Sequence, residues 1–141
     1  MEDINVRELI ETALNMRRMS YTPYSHWNVG AALLAADGTI YTGCNIENAA
    51  FTPTNCAERT AFFKAVSEGV KDFKAIAVAG GPDGQWDDLP FCSPCGVCRQ
   101  VMSEFCKDDF RIFCAQSVDK YTEYTLPEII PDRFGPKDLL G

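Results

Sequence analysis

Apolar residues recur at helical spacing at the start of the chain. Ile4, Leu9, Ile10, Ala13, Leu14 and Met16 fall near one face, which predicts an amphipathic helix over 4–18. "SYTPYS" breaks that pattern at Pro23. Two runs, 29–35 and 39–46, then flank Asp37-Gly38 and predict a β-hairpin. Helical periodicity returns over 55–68, with Thr54 or Asn55 as the N-cap and Gly69 as the stop. "FKAIAVAG" (73–80) is a continuous apolar run and reads as a buried strand, followed by the Gly/Pro/Asp loop "GGPDGQWDDLPF". Ser93 reads as an N-cap with Pro94 at the first helical position, and the helix runs to about Cys106. "RIFCAQS" (111–117) predicts another strand, "TLPEII" a short helix, and the tail a polar loop. The order α-β-β-α-β-α-β-α predicts a mixed sheet with helices on both faces, an antiparallel hairpin first and parallel neighbours later.

Composition narrows the classes. Apolar residues are 46% of the 141 positions, enough for one core, so a single domain over 1–141 is expected. No apolar run approaches the ~20 residues that span a bilayer, and "MEDINVRELIETAL" lacks the basic and apolar regions of a signal peptide. A cytoplasmic protein with no membrane partner is expected. Lys plus Arg number 13 and Asp plus Glu 20, giving 13 − 20 = −7. That balance, with no basic stripe, argues against a nucleic-acid partner. Arg17 and Arg18 form the longest basic cluster and read as cations at a helix end. Met16, Met19, Val101 and Met102 read as core packing.

The seven cysteines, at 44, 56, 92, 95, 98, 106 and 114, are an odd set beside a single histidine, His26. In a reducing compartment such thiols bind metal or are buried. Cys95 and Cys98 form a Cys-x-x-Cys pair at a helix start, and Cys56 lies at another helix start. Helix N-termini stabilise thiolates, so the three sulfurs can converge on one zinc ion. Catalytic zinc sites hold three protein ligands and leave the fourth position to water. Glu58, two residues from Cys56, would stand beside the metal and suits a proton shuttle, while Arg59 could donate to a thiolate. The competing readings are a redox pair, which gives Glu58 no role, and a structural four-cysteine site. For the latter, Cys106 and Cys114 read as core, Cys44 lies in a strand, and Cys92 lies on the wrong side of Pro94. His26 reads as a surface residue, with a contact at a pocket rim as the alternative.

"CAE" followed by "PCGVC" resembles the three-cysteine zinc deaminase signature. "YTPYSHWNVGAAL", "GCNIENAAFTPTNCAERTAFFKAVSEG" and "SPCGVCRQVMSEF" extend the resemblance to the small homotetrameric cytidine deaminases of nucleoside salvage, over roughly 5–135. This resemblance implies a three-layer α-β-α sandwich around a mixed five-stranded sheet. It implies one zinc per chain and the hydrolysis of cytidine and 2′-deoxycytidine to uridine and 2′-deoxyuridine, with release of ammonia. Glu58 would move a proton from water to ring nitrogen 3 and then to the departing amino group. The Ala57 N–H would meet the ring carbonyl, the Ser93 carbonyl the amino group, and Asn45 with Glu47 the ribose 3′-hydroxyl.

Two alternatives temper those assignments. Asn45 and Asn48 are ordinary turn residues. A blasticidin-type deaminase or a non-catalytic zinc module would use the same cysteines. Trp27, Phe51 and Phe134 are the aromatic candidates for the base pocket. The family usually has phenylalanine at the Trp27 position and often tyrosine at the Phe51 position. By resemblance, Phe134 reaches into a neighbour's site in a homotetramer whose sites neighbouring subunits complete.

Overall fold

The computed structural model describes residues 4–141, so the first three residues of the expected 1–141 domain lie outside it. Helix α1 (Val6–Met16) opens on Asn5, whose Oδ1 accepts the Glu8 amide at 3.1 Å, and a 3-10 turn over Arg17–Met19 prolongs it. Strands β1 (Trp27–Ala35) and β2 (Ile40–Cys44) form the expected hairpin around Gly38, whose φ of 94° a side chain would resist. Then come α2 (Ala57–Ser67), β3 (Phe73–Pro82), α3 (Gly96–Phe105), β4 (Arg111–Ala115), β5 (Tyr121–Thr125), α4 (Leu126–Ile129) and α5 (Lys137–Leu140). The sheet order is β2-β1-β3-β4-β5, parallel only between β3 and β4.

Side-chain alternation builds the three layers. On one face Ala31, Leu33 and Ala35 of β1 join Ile76 and Val78 of β3 and pack under Ala57, Ala61, Phe62 and Ala65 of α2 and Met102 of α3. On the other, Ala32, Ala75, Ala77 and Ala79 meet Leu9, Ile10 and Ala13 of α1. Small residues there let α1 lie close. A Cβ at Gly30 would stand 2.0 Å from the Ala13 carbonyl oxygen, and on the opposite face one at Gly43 would stand 2.2 Å from that of Ala57. Both helices are therefore pressed onto bare backbone.

Several expectations need correction. The sheet has the five strands that the resemblance implies, but the hydropathy pattern marks only four: the fifth is β5, a mostly exposed edge strand of Tyr, Thr and Glu that carries no apolar alternation. Its place is held by β4 pairing and by the Arg111 guanidinium on Glu123, at 2.6 and 3.1 Å. Neither Thr54 nor Asn55 caps α2: Cys56 does. Likewise Cys95, not Ser93, caps α3, and Pro94 precedes the helix. Met19 is 68% exposed rather than core, whereas Met102 is fully buried. The tail holds one more helical turn, α5, with Leu139 and Leu140 exposed.

Arg17 departs most from its reading. It is fully buried. Its guanidinium donates to the carbonyls of Asn28 (2.8 Å), Gln85 (2.8 Å) and Pro82 (3.2 Å), and it stacks with Arg18 on Trp86. The cation thus ties α1 to the start of β1 and to the loop after β3, the segment that leads into α3. Arg17→Met leaves these carbonyls without their donor and is expected to cost about 3 kcal/mol of stability. Urea denaturation measures it, and an unchanged midpoint would show that the loop holds without the staple.

Candidate active site

Register brings the chemistry together. Gly30 pairs with Cys44 at the end of β2, and Trp27 pairs with Pro82 at the end of β3. Both strands therefore finish beside the start of β1, and the helices that follow them, α2 and α3, open at one end of the sheet. Cys56 and Cys95 are their capping residues, and Cys98 lies in the first turn of α3.

The three sulfurs meet. Cys56 Sγ is 3.6 Å from Cys95 Sγ, which is 3.5 Å from Cys98 Sγ, and all three lie within 4.8 Å of one another. Sulfurs each about 2.3 Å from a tetrahedral ion stand ~3.8 Å apart, so this donor set fits zinc. Arg59 Nη2 donates to Cys56 Sγ at 3.3 Å, as the spacing of one helical turn predicts. The Cys56 thiol is held down to about 5, first by its hydrogen bond with Cys98 and then, against the effect of burial, by Arg59 and Cys95. Cys98 is pushed up by the same sharing and by burial.

Glu58 is 4% exposed in the first turn of α2. Burial first, with the nearby Cys56 sulfur, pushes its carboxyl up to about 7, opposed by its own amide, Arg59 and a hydrogen bond with Cys98. A buried carboxyl against the sulfur cluster can take and return a proton near neutral pH. None of the other four cysteines joins the cluster. Burial pushes the Cys92 thiol up to about 11 and the Cys114 thiol up to about 12. Cys92 instead lies over Gly80 with the Trp27 indole: a Cβ there would stand 2.6 Å from Cys92 Sγ and 3.1 Å from Trp27 Nε1.

A second group of residues lies beside the sulfurs. Ile46 and Asn55 exchange backbone hydrogen bonds of 3.0 and 2.9 Å, which fastens the 45–47 segment to the residue before Cys56. Glu47 opens onto a cleft of ≈ 450 Å³ lined by Tyr24, Ser25, Glu47, Asn48, Phe51 and Thr54. Asn45 sits against β1: its Oδ1 accepts the Val29 amide at 2.9 Å and its Nδ2 donates to the Trp27 carbonyl at 2.8 Å. Asn48 is a turn residue, as its type suggests, and its Oδ1 accepts the Ala50 amide.

The aromatic candidates divide. Phe51 lines the cleft at 74% exposure with φ of 63°. Trp27 belongs with Cys92, while Phe134 is 58% exposed, with its carbonyl oxygen accepting from Gln100 Nε2 at 2.7 Å. Ser93 is placed by its hydroxyl, which accepts from Arg99 Nη2 at 3.2 Å. Arg99 also donates to the carbonyls of Pro94 (2.8 Å) and Ile129 (2.6 Å), clamping the entrance of α3. His26 is exposed and takes the left-handed conformation (φ 55°) in the turn before β1. Sequence reasoning missed Arg99 and Ser25. Arg99 directly follows Cys98 and Ser25 lies in "PYS", but only the fold shows what each touches.

Residues 4–114 match the family described as the cytidine and deoxycytidylate deaminase zinc-binding region, and the chain belongs to that family. A cytidine deaminase of Sporosarcina psychrophila is 48% identical over 136 residues, 96% of each chain. A blasticidin-S deaminase of Bacillus cereus is 34% identical over 129 residues, 90% of each. Among solved structures, a cytidine deaminase of Burkholderia pseudomallei superposes with a TM-score of 0.82 at 39% identity, covering 93% of this chain and 100% of that one.

The sulfur triad is expected to carry one zinc per chain. Cys98→Ala should lose it, and chelation should lower the melting temperature, because a metal that binds only the folded state stabilises it. Metal analysis with thermal melts checks both; a Cys98→Ala protein with full zinc content would refute the ligand set.

Proposed function

We propose that the protein is a zinc-dependent hydrolase that converts cytidine and 2′-deoxycytidine to uridine and 2′-deoxyuridine, releasing ammonia, in pyrimidine salvage. The observation that carries this reading is the buried Glu58 beside three converged sulfurs, in a chain of the deaminase family. The 48% identity to a cytidine deaminase across nearly the whole length supports the substrate class.

Cys56, Cys95 and Cys98 would hold the zinc ion, which would supply the Lewis acidity that lets a water lose its proton near neutral pH. The rest falls to side chains and backbone. Glu58 accepts that proton and passes it to ring nitrogen 3. The oxygen of the water bonds to carbon 4, and Glu58 takes the remaining proton of that hydroxyl and delivers it to the amino group; the carbon–nitrogen bond breaks, ammonia leaves, and the oxygen stays as the ring carbonyl. Arg59 offsets the excess negative charge of three thiolates on a dication. The Ala57 N–H, free at a helix start, donates to the ring carbonyl, and the Ser93 carbonyl accepts from the amino group. Asn45 and Glu47 hold the ribose 3′-hydroxyl: one amide hydrogen of Asn45 goes to Trp27, and the other remains for the sugar. The Glu47 carboxylate repels phosphate, so free nucleosides are preferred to nucleotides.

Trp27, Phe51 and Phe134 form the aromatic set. The high exposure of Phe51 and Phe134 fits burial by neighbouring copies, in a homotetramer whose subunits complete one another's sites. The chain works in the cytoplasm; among the described residues no helix is long and apolar enough to cross a membrane.

Glu58→Ala is expected to retain zinc yet lose turnover by roughly 10²–10⁴-fold. Loss of the cytidine absorbance band and release of ammonia, measured beside metal content, test this, and an active variant would overturn the shuttle. Blasticidin S assayed alongside cytidine separates the substrates. Sedimentation should give a tetramer, and Phe134→Ala should raise KM; a fully active monomer would refute shared sites.

A further inference from the structure

Glu47 is the only charged group lining the 450 Å³ cleft, and its acceptor sites can be counted. A carboxylate offers about four. The amides of Tyr24 and Ser25 both donate to Oε1, each at 3.1 Å. The Ser25 hydroxyl donates to Oε2 and itself accepts the Trp27 amide at 3.1 Å. Three of the four sites are thus used by one turn, and the remaining one is on Oε2. His26, in its left-handed conformation, closes that turn by donating its amide to the Thr22 carbonyl at 3.0 Å. The carboxyl is held below the usual carboxylate range: burial alone would raise it, and the donors from Ser25 and Tyr24 outweigh that effect. Two residues before it on the bridged, extended segment, and so on the same side, Asn45 has both its oxygen and one amide hydrogen engaged by β1.

We propose that Ser25 is a positioning residue: its hydroxyl and amide lock the Glu47 carboxylate in the pose that meets the sugar hydroxyl assigned above to Asn45 and Glu47. This rests on the preceding reading that the cleft holds the sugar of a nucleoside. One vacant acceptor on Glu47 and one free amide hydrogen on Asn45 match a single hydroxyl, which both donates and accepts. A second hydroxyl finds no partner on either side chain. Cytidine and 2′-deoxycytidine are then bound alike, and a sugar lacking both hydroxyls is bound poorly.

Steady-state kinetics on three substrates tests this. The unaltered protein should show similar KM for cytidine and 2′-deoxycytidine and a raised KM for 2′,3′-dideoxycytidine. Ser25→Ala frees the carboxylate to pivot about Oε1, and should raise KM for the first two about tenfold, with kcat changed less than about threefold. KM for 2′,3′-dideoxycytidine should stay the same in both proteins. Ser25→Thr, which keeps the hydroxyl, should recover most of the loss. A general packing defect would instead raise KM on all three substrates, and that result overturns the proposal. So does an unchanged KM for cytidine in Ser25→Ala, or a penalty on cytidine that 2′-deoxycytidine escapes. Should Ser25→Ala not fold, Ser25→Gly, read on the same three substrates, takes its place with the same expected and overturning results. If the zinc-loaded protein turns over none of them, the functional reading falls and this inference with it; normal turnover with the wrong ranking sinks only the inference.

Discussion

A backbone carbonyl seated against a bare glycine decides where the chemistry lies. Ala57 closes on Gly43 so tightly that an added Cβ would stand 2.2 Å from its oxygen. Helix α2 can therefore begin only where β2 ends, and Cys56 is carried to that spot. The register of β1 with both neighbours does the rest: because Gly30 faces Cys44 and Trp27 faces Pro82, the end of β3 lies at the same rim. The chain that leaves β3 is stapled by buried Arg17 through Pro82 and Gln85 before it turns into α3. Three sulfurs from two helix entrances thus meet because the sheet permits no other seat for those entrances. Metal affinity is in this sense a property of strand register.

Charge at that rim is arranged locally. The whole chain carries −7, and a further anionic cluster gains nothing from its general field. Two helix N-termini favour negative charge there, and the Arg59 guanidinium holds the Cys56 sulfur directly. Glu58, by contrast, gets little help: it is desolvated and close to Cys56, and both effects favour its neutral form. One turn of α2 thus contains a thiol held low and a carboxyl held high, two residues apart. The difference comes from what each meets, since Cys56 has Arg59 and the neighbouring sulfurs as donors while Glu58 is stripped of solvent beside the Cys56 sulfur.

How much of this was legible in the chain depends on the range of the signal. Cys56, Glu58, Arg59, Cys95 and Cys98 sit in two short motifs whose helix periodicity is local, so their types and neighbourhoods could be read directly. The helix over 55–68 appears as Ala57–Ser67, and the apolar run at 73–80 as Phe73–Pro82. What failed was tertiary. Arg17 looked like a cation favouring a helix end, a local rule that three distant carbonyls override. β5 is an edge strand of polar residues, recognisable only by its pairing with β4. Pro94 looked like the first helical residue, yet its carbonyl is taken by Arg99 and the helix waits for Cys95 to cap it. Ser25 gave no signal, because its partner Glu47 is 22 residues away and meets it only when the 45–47 segment is bridged to Tyr21 and Asn55.

The metal half of the site cannot by itself choose a substrate. A chain at 34% identity over nine-tenths of its length bears the name of a blasticidin-S deaminase, while one at 48% bears that of a cytidine deaminase. Both would need an activated water and a proton carrier, so these parts constrain the reaction and leave the leaving-group carrier open. Discrimination has to come from groups whose polar atoms would be left unpaired by the wrong partner, since a missing hydrogen bond in a buried polar site costs more than a poor apolar fit. On the reading proposed above those groups are Glu47 and Asn45, each already committed to β1 or to the turn before it except for one acceptor and one donor. A rigid pair with one vacancy of each kind selects by what it lacks: a partner with no hydroxyl at that point strands a charge, and one with a phosphate there meets a like charge. On that reading the specificity of the site is set in the loop before β1 and the residues just after β2, not at the metal.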